Sequence, residues 1–333
     1  MIKLYNFDEL RPEEILNRDI RAEKNVEDVV DGIIAEVRAR GDEALKEYAL
    51  KFDGAKIDDL QVTQAEIDEA FANMDPYFLE TLREAAANIE RFHRQQVHKN
   101  FVINEKPGIV LGQKYTPIEK AGVYVPGGTA AYPSTVLMDV IPAKVAGVGE
   151  LIMVTPPTEN MSNEVLAAAK IAGVDKVIAI GGTQAIAALT YGAGFIPQVD
   201  KIVGPGNAFV AAAKKLAFGT VDIDMIAGPS EVLVIADHTA NPTYVAADLL
   251  SQAEHDRLAS AVLLTDSMAQ AQAISCEMER QAKLLPRWDI IKESVANYGC
   301  AIVFDELTDA CKMADVVAPE HLEVVTAEPR ELL

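Results

Sequence analysis

From about residue 100 onward, short runs of apolar and β-branched residues alternate with alanine-rich stretches of helical length. Strands that alternate with helices of this length are typical of βαβ units, so the pattern predicts an α/β fold with a mostly parallel sheet. The predicted strands are 108–111, 122–125, 151–154, 176–180, 201–203, 231–236, 261–265, 301–304 and 322–325. The predicted helices between them are 135–146, 164–172, 183–191, 207–218, 242–255 and 267–284.

The first quarter of the chain is predicted to be helical. Apolar residues recur at spacings of three and four from Val26 to Val37, and Gly41 ends that helix. Two turn-rich stretches, 124–133 and 226–230, are the predicted crossings between two α/β domains, with the second domain inserted in the first.

Charge and cysteine content exclude several classes of protein. The sequence has 30 Lys and Arg against 51 Asp and Glu, a net charge of −21, which disfavours nucleic acid as a partner. A site for an anionic cofactor must therefore be local, built from backbone N–H groups and helix N-termini. The three cysteines form no CxxC pair, and the sequence shows neither a signal peptide nor a membrane span. We therefore expect a reducing cytoplasm and no membrane association.

Three glycine-rich turns follow predicted strands, at 125–128, 181–184 and 203–207. Ligands of α/β proteins bind at the carboxyl ends of strands, where glycine lets the backbone approach a phosphate or sugar closely. None of the turns is a GxGxxG or Walker motif. Together, the three turns predict a cleft large enough for a nucleotide. For any one of them alone, the alternative is that glycine serves only to form the turn.

Gln252 and His255 lie three residues apart at the end of a predicted helix, so they share one face and could grip one metal ion. The alternative is a histidine stabilised by the dipole of the helix C-terminus. Glu320 and His321 are adjacent in a loop after an apolar run. Together they could supply two proton-transfer groups of different basicity, or they could be two polar residues of a surface loop.

Taken together, these motifs resemble the histidinol dehydrogenase family from near the start of the chain to Leu333. The resemblance is carried by six segments in the family's order: 122–128 (GVYVPGG), 181–187 (GGTQAIA), 204–207 (GPGN), 226–231 (IAGPSE), 251–255 (SQAEH) and 318–323 (APEHLE).

The resemblance implies an enzyme that performs the last step of histidine biosynthesis. It would oxidise L-histidinol to L-histidine through L-histidinaldehyde, with two NAD used in turn and with zinc as the metal. It implies that Tyr124, Gln184 and Asn207 contact NAD and that Ser230 contacts the substrate.

The resemblance also implies that Gln252 and His255 bind zinc and the substrate. Glu320 and His321 would be the acid–base pair, with His321 touching the substrate as well. The family is homodimeric. Its chains continue beyond the position of Leu333 with a further zinc-binding Asp and with tail residues that reach the partner subunit, none of which this sequence contains. The alternative is therefore a truncated, catalytically incomplete nucleotide-binding scaffold of the same fold.

The predicted fold is α/β, with two incomplete Rossmann-like parallel-sheet domains behind a helical N-terminal segment. That segment is 1–20. The first domain is discontinuous, 21–123 and 230–333, and the second, NAD-binding domain is 124–229.

Overall fold

The computed structural model describes residues 2–9, 15, 23–127, 132–157 and 162–333. The chain forms two compact units. The terminal unit contains Met1–Ile20 and Gly228–Leu333, and the central unit contains Arg21–Ala227. None of the described helices combines the length and apolarity needed to cross a bilayer.

The central unit is built on a six-stranded sheet in the order β2-β7-β6-β5-β8-β9. Every neighbouring pair is parallel except β2 and β7. The strands are β2 (Gln61–Val62), β5 (Lys120–Tyr124), β6 (Glu150–Thr155), β7 (Lys176–Ala179), β8 (Lys201–Val203) and β9 (Asp222–Ile223). The strands β3 (Phe101–Lys106) and β4 (Ile109–Gln113) form a separate, solvent-exposed antiparallel ribbon.

Helices cover both faces of this sheet, which explains why its central strands are continuously apolar. In β6, Ile152 and Val154 point into one core cluster while Leu151 and Met153 point into the other. The helices are α1 (Glu23–Arg40), α2 (Asp42–Asp53), α3 (Gln64–Ala72), α4 (Pro76–His93), α5 (Pro133–Ala146), α6 (Asn163–Ala172), α7 (Gly182–Tyr191) and α8 (Ala208–Ala217).

The terminal unit contains a five-stranded parallel sheet in the order β1-β12-β11-β10-β13. Its strands are β1 (Lys3–Asn6), β10 (Glu231–Ala236), β11 (Ser260–Thr265), β12 (Gly299–Val303) and β13 (His321–Val325). Its helices are α9 (Pro242–Ala253), α10 (Met268–Ala282), α11 (Trp288–Tyr298) and α12 (Leu307–Val317). Val232 and Val234 of β10 pack into one core cluster, and Leu233 and Ile235 pack into a second.

The α/β class and the parallel sheets are confirmed, but two predictions about the chain's organisation are corrected. The segment 1–20 was expected to be helical, yet Lys3–Asn6 is a strand paired with β12. Its short, mostly exposed sequence has no apolar alternation that would reveal an edge strand. Residues 10–14 and 16–20 of that segment lie outside the described residues.

The structure also groups residues 21–123 with 124–227, instead of with 230–333 as predicted. The reason is strand pairing. Strand β5, which straddles the predicted boundary at 123, lies between β6 and β8 in the middle of the central sheet. Helix α1 contributes Val30 and Ile34 to the same core cluster as Ile186 and Leu189 of α7.

A buried carboxyl in α5 predicts a pH-dependent stability. The Oδ2 atom of Asp139 is buried without a hydrogen-bond partner, and burial, together with the nearby Asp224, raises its pKa to about 7. This pKa lies above the pKa of an Asp carboxyl in the unfolded chain, so folding favours the protonated, neutral form of Asp139. The stability that this form contributes is therefore fully present below about pH 4. It is lost as the pH rises towards 7.

We therefore expect Asp139→Asn to raise the free energy of unfolding at pH 8 by about 2 kcal/mol and to change it little at pH 4. One unit of pKa corresponds to about 1.4 kcal/mol, and the partial exposure of the side chain screens part of the effect. Urea unfolding followed by circular dichroism at both pH values measures the difference. Exposed Asp28→Asn in α1 is the control, and a gain that does not depend on pH would contradict the assignment.

Candidate active site

The sequence-predicted nucleotide residues of the central unit lie at the carboxyl ends of its strands. Tyr124 is the last residue of β5, Gln184 lies in the first turn of α7 just after β7, and Asn207 lies between β8 and α8. Because β5, β7 and β8 run in the same direction, these ends share one edge of the sheet. The loop after β5 is described only to Gly127, so Gly128 lies outside the described residues.

The start of α7 contains a buried, unpartnered acceptor. Gln184 is 1% exposed, and its Oε1 atom has no hydrogen-bond donor. Gly182 has a φ of +64°, and its N–H donates to the hydroxyl of Tyr124 at 3.1 Å. An unmade hydrogen bond on a buried amide costs about 1–3 kcal/mol, so the Gln184 oxygen is suited to accept a donor from a bound molecule. Burial is the main cause that raises the pKa of Tyr124, so its hydroxyl is neutral near pH 7.

Asn207 caps α8 through its side-chain oxygen, which accepts the N–H groups of Phe209 and Val210, both at 3.1 Å. The cap uses the oxygen of the amide, so the group that Asn207 offers to a ligand is its NH₂. The helix N-terminus itself favours an anion such as a phosphate. An unpartnered acceptor, an amide donor and two helix N-termini at one sheet edge fit a dinucleotide.

In the terminal unit, Ser230, Glu320 and His321 lie at the amino ends of strands. Ser230 precedes β10, Glu320 precedes β13, and the register pairs Val232 with His321. This edge is the opposite of the carboxyl edge at which α/β proteins commonly bind ligands. Glu320 and His321 are both about half exposed, which leaves them open to a substrate.

The backbone of Glu231 contacts both members of the predicted acid–base pair, Glu320 and His321. Its N–H donates to Oε2 of Glu320 at 3.3 Å, and its carbonyl oxygen lies 3.1 Å from Nδ1 of His321. A carbonyl oxygen can only accept, so Nδ1 carries the proton and Nε2 of the neutral imidazole is left as a base. The Glu320 Oε2 and His321 Nδ1 atoms are 3.7 Å apart.

Gln252 lies in the last turn of α9, which ends at Ala253, and His255 follows two residues beyond the helix instead of inside it as predicted. Because α9 connects the parallel strands β10 and β11, its C-terminus returns to the amino edge, where Ser230, Glu320 and His321 also lie. Gln252 is buried and His255 is exposed, and the N–H of His255 donates to the Gln252 carbonyl at 3.1 Å. Within the described part of the chain, no three His, Cys, Asp or Glu side chains are grouped closely enough to hold a metal ion.

The sequence interpretation missed two carboxylates beside this edge. Glu323 on β13 lies near Asp248 on α9, and the pKa of Glu323 is raised, first by burial and then by the negative charge of Asp248. A signal was present: Asp248 precedes Gln252 by four residues, so the two share a helix face. The contact ties the α9 face that carries Gln252 to the strand that begins at His321.

Comparison with known proteins finds the same family that the six sequence segments indicated. The family model described as histidinol dehydrogenase matches residues 16–333. Histidinol dehydrogenase of Listeria innocua is 50% identical over 328 residues, which are 96% of this chain and 77% of the relative. That of Bacillus subtilis is 51% identical over 306 residues, 91% of this chain and 72% of the relative. The crystal structure of histidinol dehydrogenase from Elizabethkingia anophelis superposes with a TM-score of 0.94 at 37% identity, covering 99% of this chain and 77% of that one.

Proposed function

Because the chain belongs to the histidinol dehydrogenase family, we propose that it oxidises L-histidinol to L-histidine through L-histidinaldehyde, with two NAD and with zinc. This is the last step of histidine biosynthesis. The observation that carries the proposal is the pair formed by Glu320 and His321, both bound to the backbone of Glu231 and both open to a substrate.

His321 is the base for the alcohol. Its Nδ1–H is held by the Glu231 carbonyl, so Nε2 can take the hydroxyl proton of L-histidinol while the carbinol carbon loses a hydride. Tyr124, Gln184 and Asn207 would hold NAD, which would provide the acceptor for that hydride when bound. The products of this half-reaction are the aldehyde, NADH and one proton.

Glu320 serves the second half-reaction. Its carboxylate can take a proton from the water whose oxygen attacks the aldehyde carbon, while the carbonyl oxygen takes up the proton that His321 gained in the first half-reaction. The product is a hydrate, whose single C–H bond, already present in the aldehyde, supplies the second hydride. His321 then removes a hydroxyl proton from the hydrate as the second hydride leaves. Ser230, at the same sheet edge, would hold the substrate during both steps. Retaining one aldehyde for both steps avoids the release of a reactive intermediate.

Gln252 and His255 would hold the zinc. Gln252 offers an amide oxygen and His255, three residues later, offers an imidazole nitrogen, and imidazole is a common zinc ligand. When bound, zinc held by these residues would fix the imidazole and amine of the substrate and orient its carbinol carbon. Two protein donors are half of a tetrahedral shell, which leaves positions for other ligands.

The direct test measures NADH formed per L-histidine when the purified protein is supplied with zinc, NAD and L-histidinol. Two NADH per L-histidine, lost on chelation and restored by zinc, is the expected result. Binding of NAD without any turnover would instead support the scaffold alternative.

Gln184→Leu is expected to change NAD affinity and stability in opposite directions. Removing the unpartnered buried oxygen raises the free energy of unfolding by about 1 kcal/mol, whereas the loss of a ligand hydrogen bond raises the KM for NAD by about tenfold. Urea unfolding and steady-state kinetics measure the two effects.

The control is Gln270→Leu, because Gln270 is also buried but donates to the Ala240 carbonyl at 2.6 Å. That variant should lose stability and keep its KM for NAD. An unchanged KM in Gln184→Leu would remove Gln184 from the nucleotide site.

We also propose the homodimer and the cytoplasmic setting that the resemblance implies. The three thiols, Cys276, Cys300 and Cys311, are all free, as a reducing compartment allows. Light scattering on the purified protein measures the oligomeric state.

A further inference from the structure

A buried lysine lies against the loop that joins β8 to α8. Lys214 of α8 is 2% exposed, and its Nζ donates to the Gly204 carbonyl at 2.9 Å. The same ammonium group forms an ion pair with Asp224, which follows β9. A charge removed from water is costly unless it is paired and hydrogen-bonded, and Lys214 meets both conditions.

Asp224 binds the other polar group of the same glycine. Its Oδ2 accepts the Gly204 N–H at 2.8 Å, and its Oδ1 accepts the Met225 N–H at 2.6 Å. Both backbone polar groups of Gly204 are therefore held by the two members of one ion pair. Charge-assisted hydrogen bonds are stronger and shorter than neutral ones, so this contact restrains the glycine firmly.

The restrained glycine opens the nucleotide loop, which we define as residues 204–207. Gly204 has a φ of +115°. Because glycine adopts positive and negative φ about equally readily, the residue itself does not fix the path of the loop, and other groups must restrain it. At the other end, Asn207 is fixed by its cap on α8. The ion pair and the cap together hold both ends of a four-residue loop whose last residue is assigned to NAD.

We propose that Lys214 and Asp224 are positioning residues for the nucleotide: their ion pair holds the 204–207 loop in the conformation that binds NAD. The proposal rests on the use of NAD proposed above. A loop ordered before binding does not lose conformational entropy when the ligand arrives, so affinity depends on the restraint. Neither residue touches the reacting atoms in this proposal.

The test compares two neighbouring lysines of α8. Lys214→Met removes the restraint, and Lys215→Met removes an exposed lysine of the same helix that pairs with Glu27 at 2.9 Å. Calorimetric titration with NAD should show at least about tenfold weaker binding for Lys214→Met, the equivalent of ordering one backbone residue on binding. Lys215→Met should bind NAD as the parent does. In turnover assays the loss should appear in the KM for NAD rather than in kcat.

A double variant keeps the proposal testable if the carboxylate of Asp224, whose side chain is 30% exposed, destabilises the single variant once its partner is gone. Lys214→Met with Asp224→Asn removes both charges of the ion pair, and it should bind NAD about as weakly as Lys214→Met alone, since the two residues act as one unit. Equal NAD affinity in the parent and in the folded double variant would overturn the proposal.

Hydrogen exchange separates the failure of this proposal from the failure of the proposed function. Without any nucleotide, the peptide containing residues 204–207 should exchange faster in the Lys214→Met and double variants and at the parental rate in Lys215→Met. Unchanged exchange would overturn the restraint itself. A parent that exchanges as expected but does not bind NAD would instead overturn the use of NAD, and with it the role of this loop.

Discussion

His321→Asn is expected to lower the rate of L-histidinol oxidation by about 10²- to 10⁴-fold, the usual contribution of a general base. The amide of asparagine can still donate to the Glu231 carbonyl, so the local fold is kept while the basic Nε2 is lost. NADH formation from L-histidinol at saturating NAD measures the loss. His238→Asn, an exposed histidine of the same unit, is the matched control and should retain the parental rate.

Glu320→Gln separates the two half-reactions. Its carboxylate is assigned to water activation, so the variant should lose more activity with L-histidinaldehyde as the substrate than in the first oxidation of L-histidinol. His321→Asn should impair both. If both variants kept the parental turnover with both substrates, the acid–base assignment would be wrong, whatever the comparisons with relatives imply.

Gly204→Ala is expected to destabilise the central unit by about 3 kcal/mol or more. An ideally placed Cβ at Gly204 would overlap the carbonyl oxygen of Tyr124, which belongs to the backbone and cannot turn aside. The φ of +115° adds a backbone strain of about 1–3 kcal/mol for any residue with a side chain. The urea midpoint measured by circular dichroism reports the change.

Gly219→Ala separates strain from overlap. Gly219 has a similar φ of +98°, but a Cβ there would meet nothing within 4 Å. It should therefore show the strain alone, about 1–3 kcal/mol. Equal losses in the two variants would mean that the close approach of Gly204 to β5 contributes nothing to stability.

The candidate residues lie at the carboxyl ends of strands in the central unit and at the amino ends of strands in the terminal unit. This difference affects how such residues can be found in the sequences of relatives. The residues proposed to bind the nucleotide follow the familiar rule for the carboxyl ends of parallel strands. Ser230, Glu320 and His321 do not, because they begin strands instead of ending them. A sequence interpretation that looks only after predicted strands would therefore find the glycine loops and overlook the acid–base pair.

Local pattern was enough to predict much of this protein. The alternation of apolar runs and alanine-rich stretches predicted the parallel α/β class, and the apolar spacing from Val26 to Val37 predicted the helix that the structure ends at Arg40, just before Gly41. These features depend on residues within a few positions of one another, so the printed sequence carries them directly. The six segments likewise carried the family.

Tertiary structure alone decided which strands are neighbours and which charges are buried. The pairing of Lys3–Asn6 with β12 joins residues almost 300 positions apart, and Lys214 meets Gly204 and Asp224 only because β8, β9 and α8 pack together. The pairing of β5 with β6 and β8, and the packing of α1 against α7, likewise place residues 21–123 in the central unit. Which strands are neighbours, and what surrounds a buried charge, depends on contacts between segments that are far apart in the sequence. The free energy of such contacts cannot be estimated from a short stretch of residues.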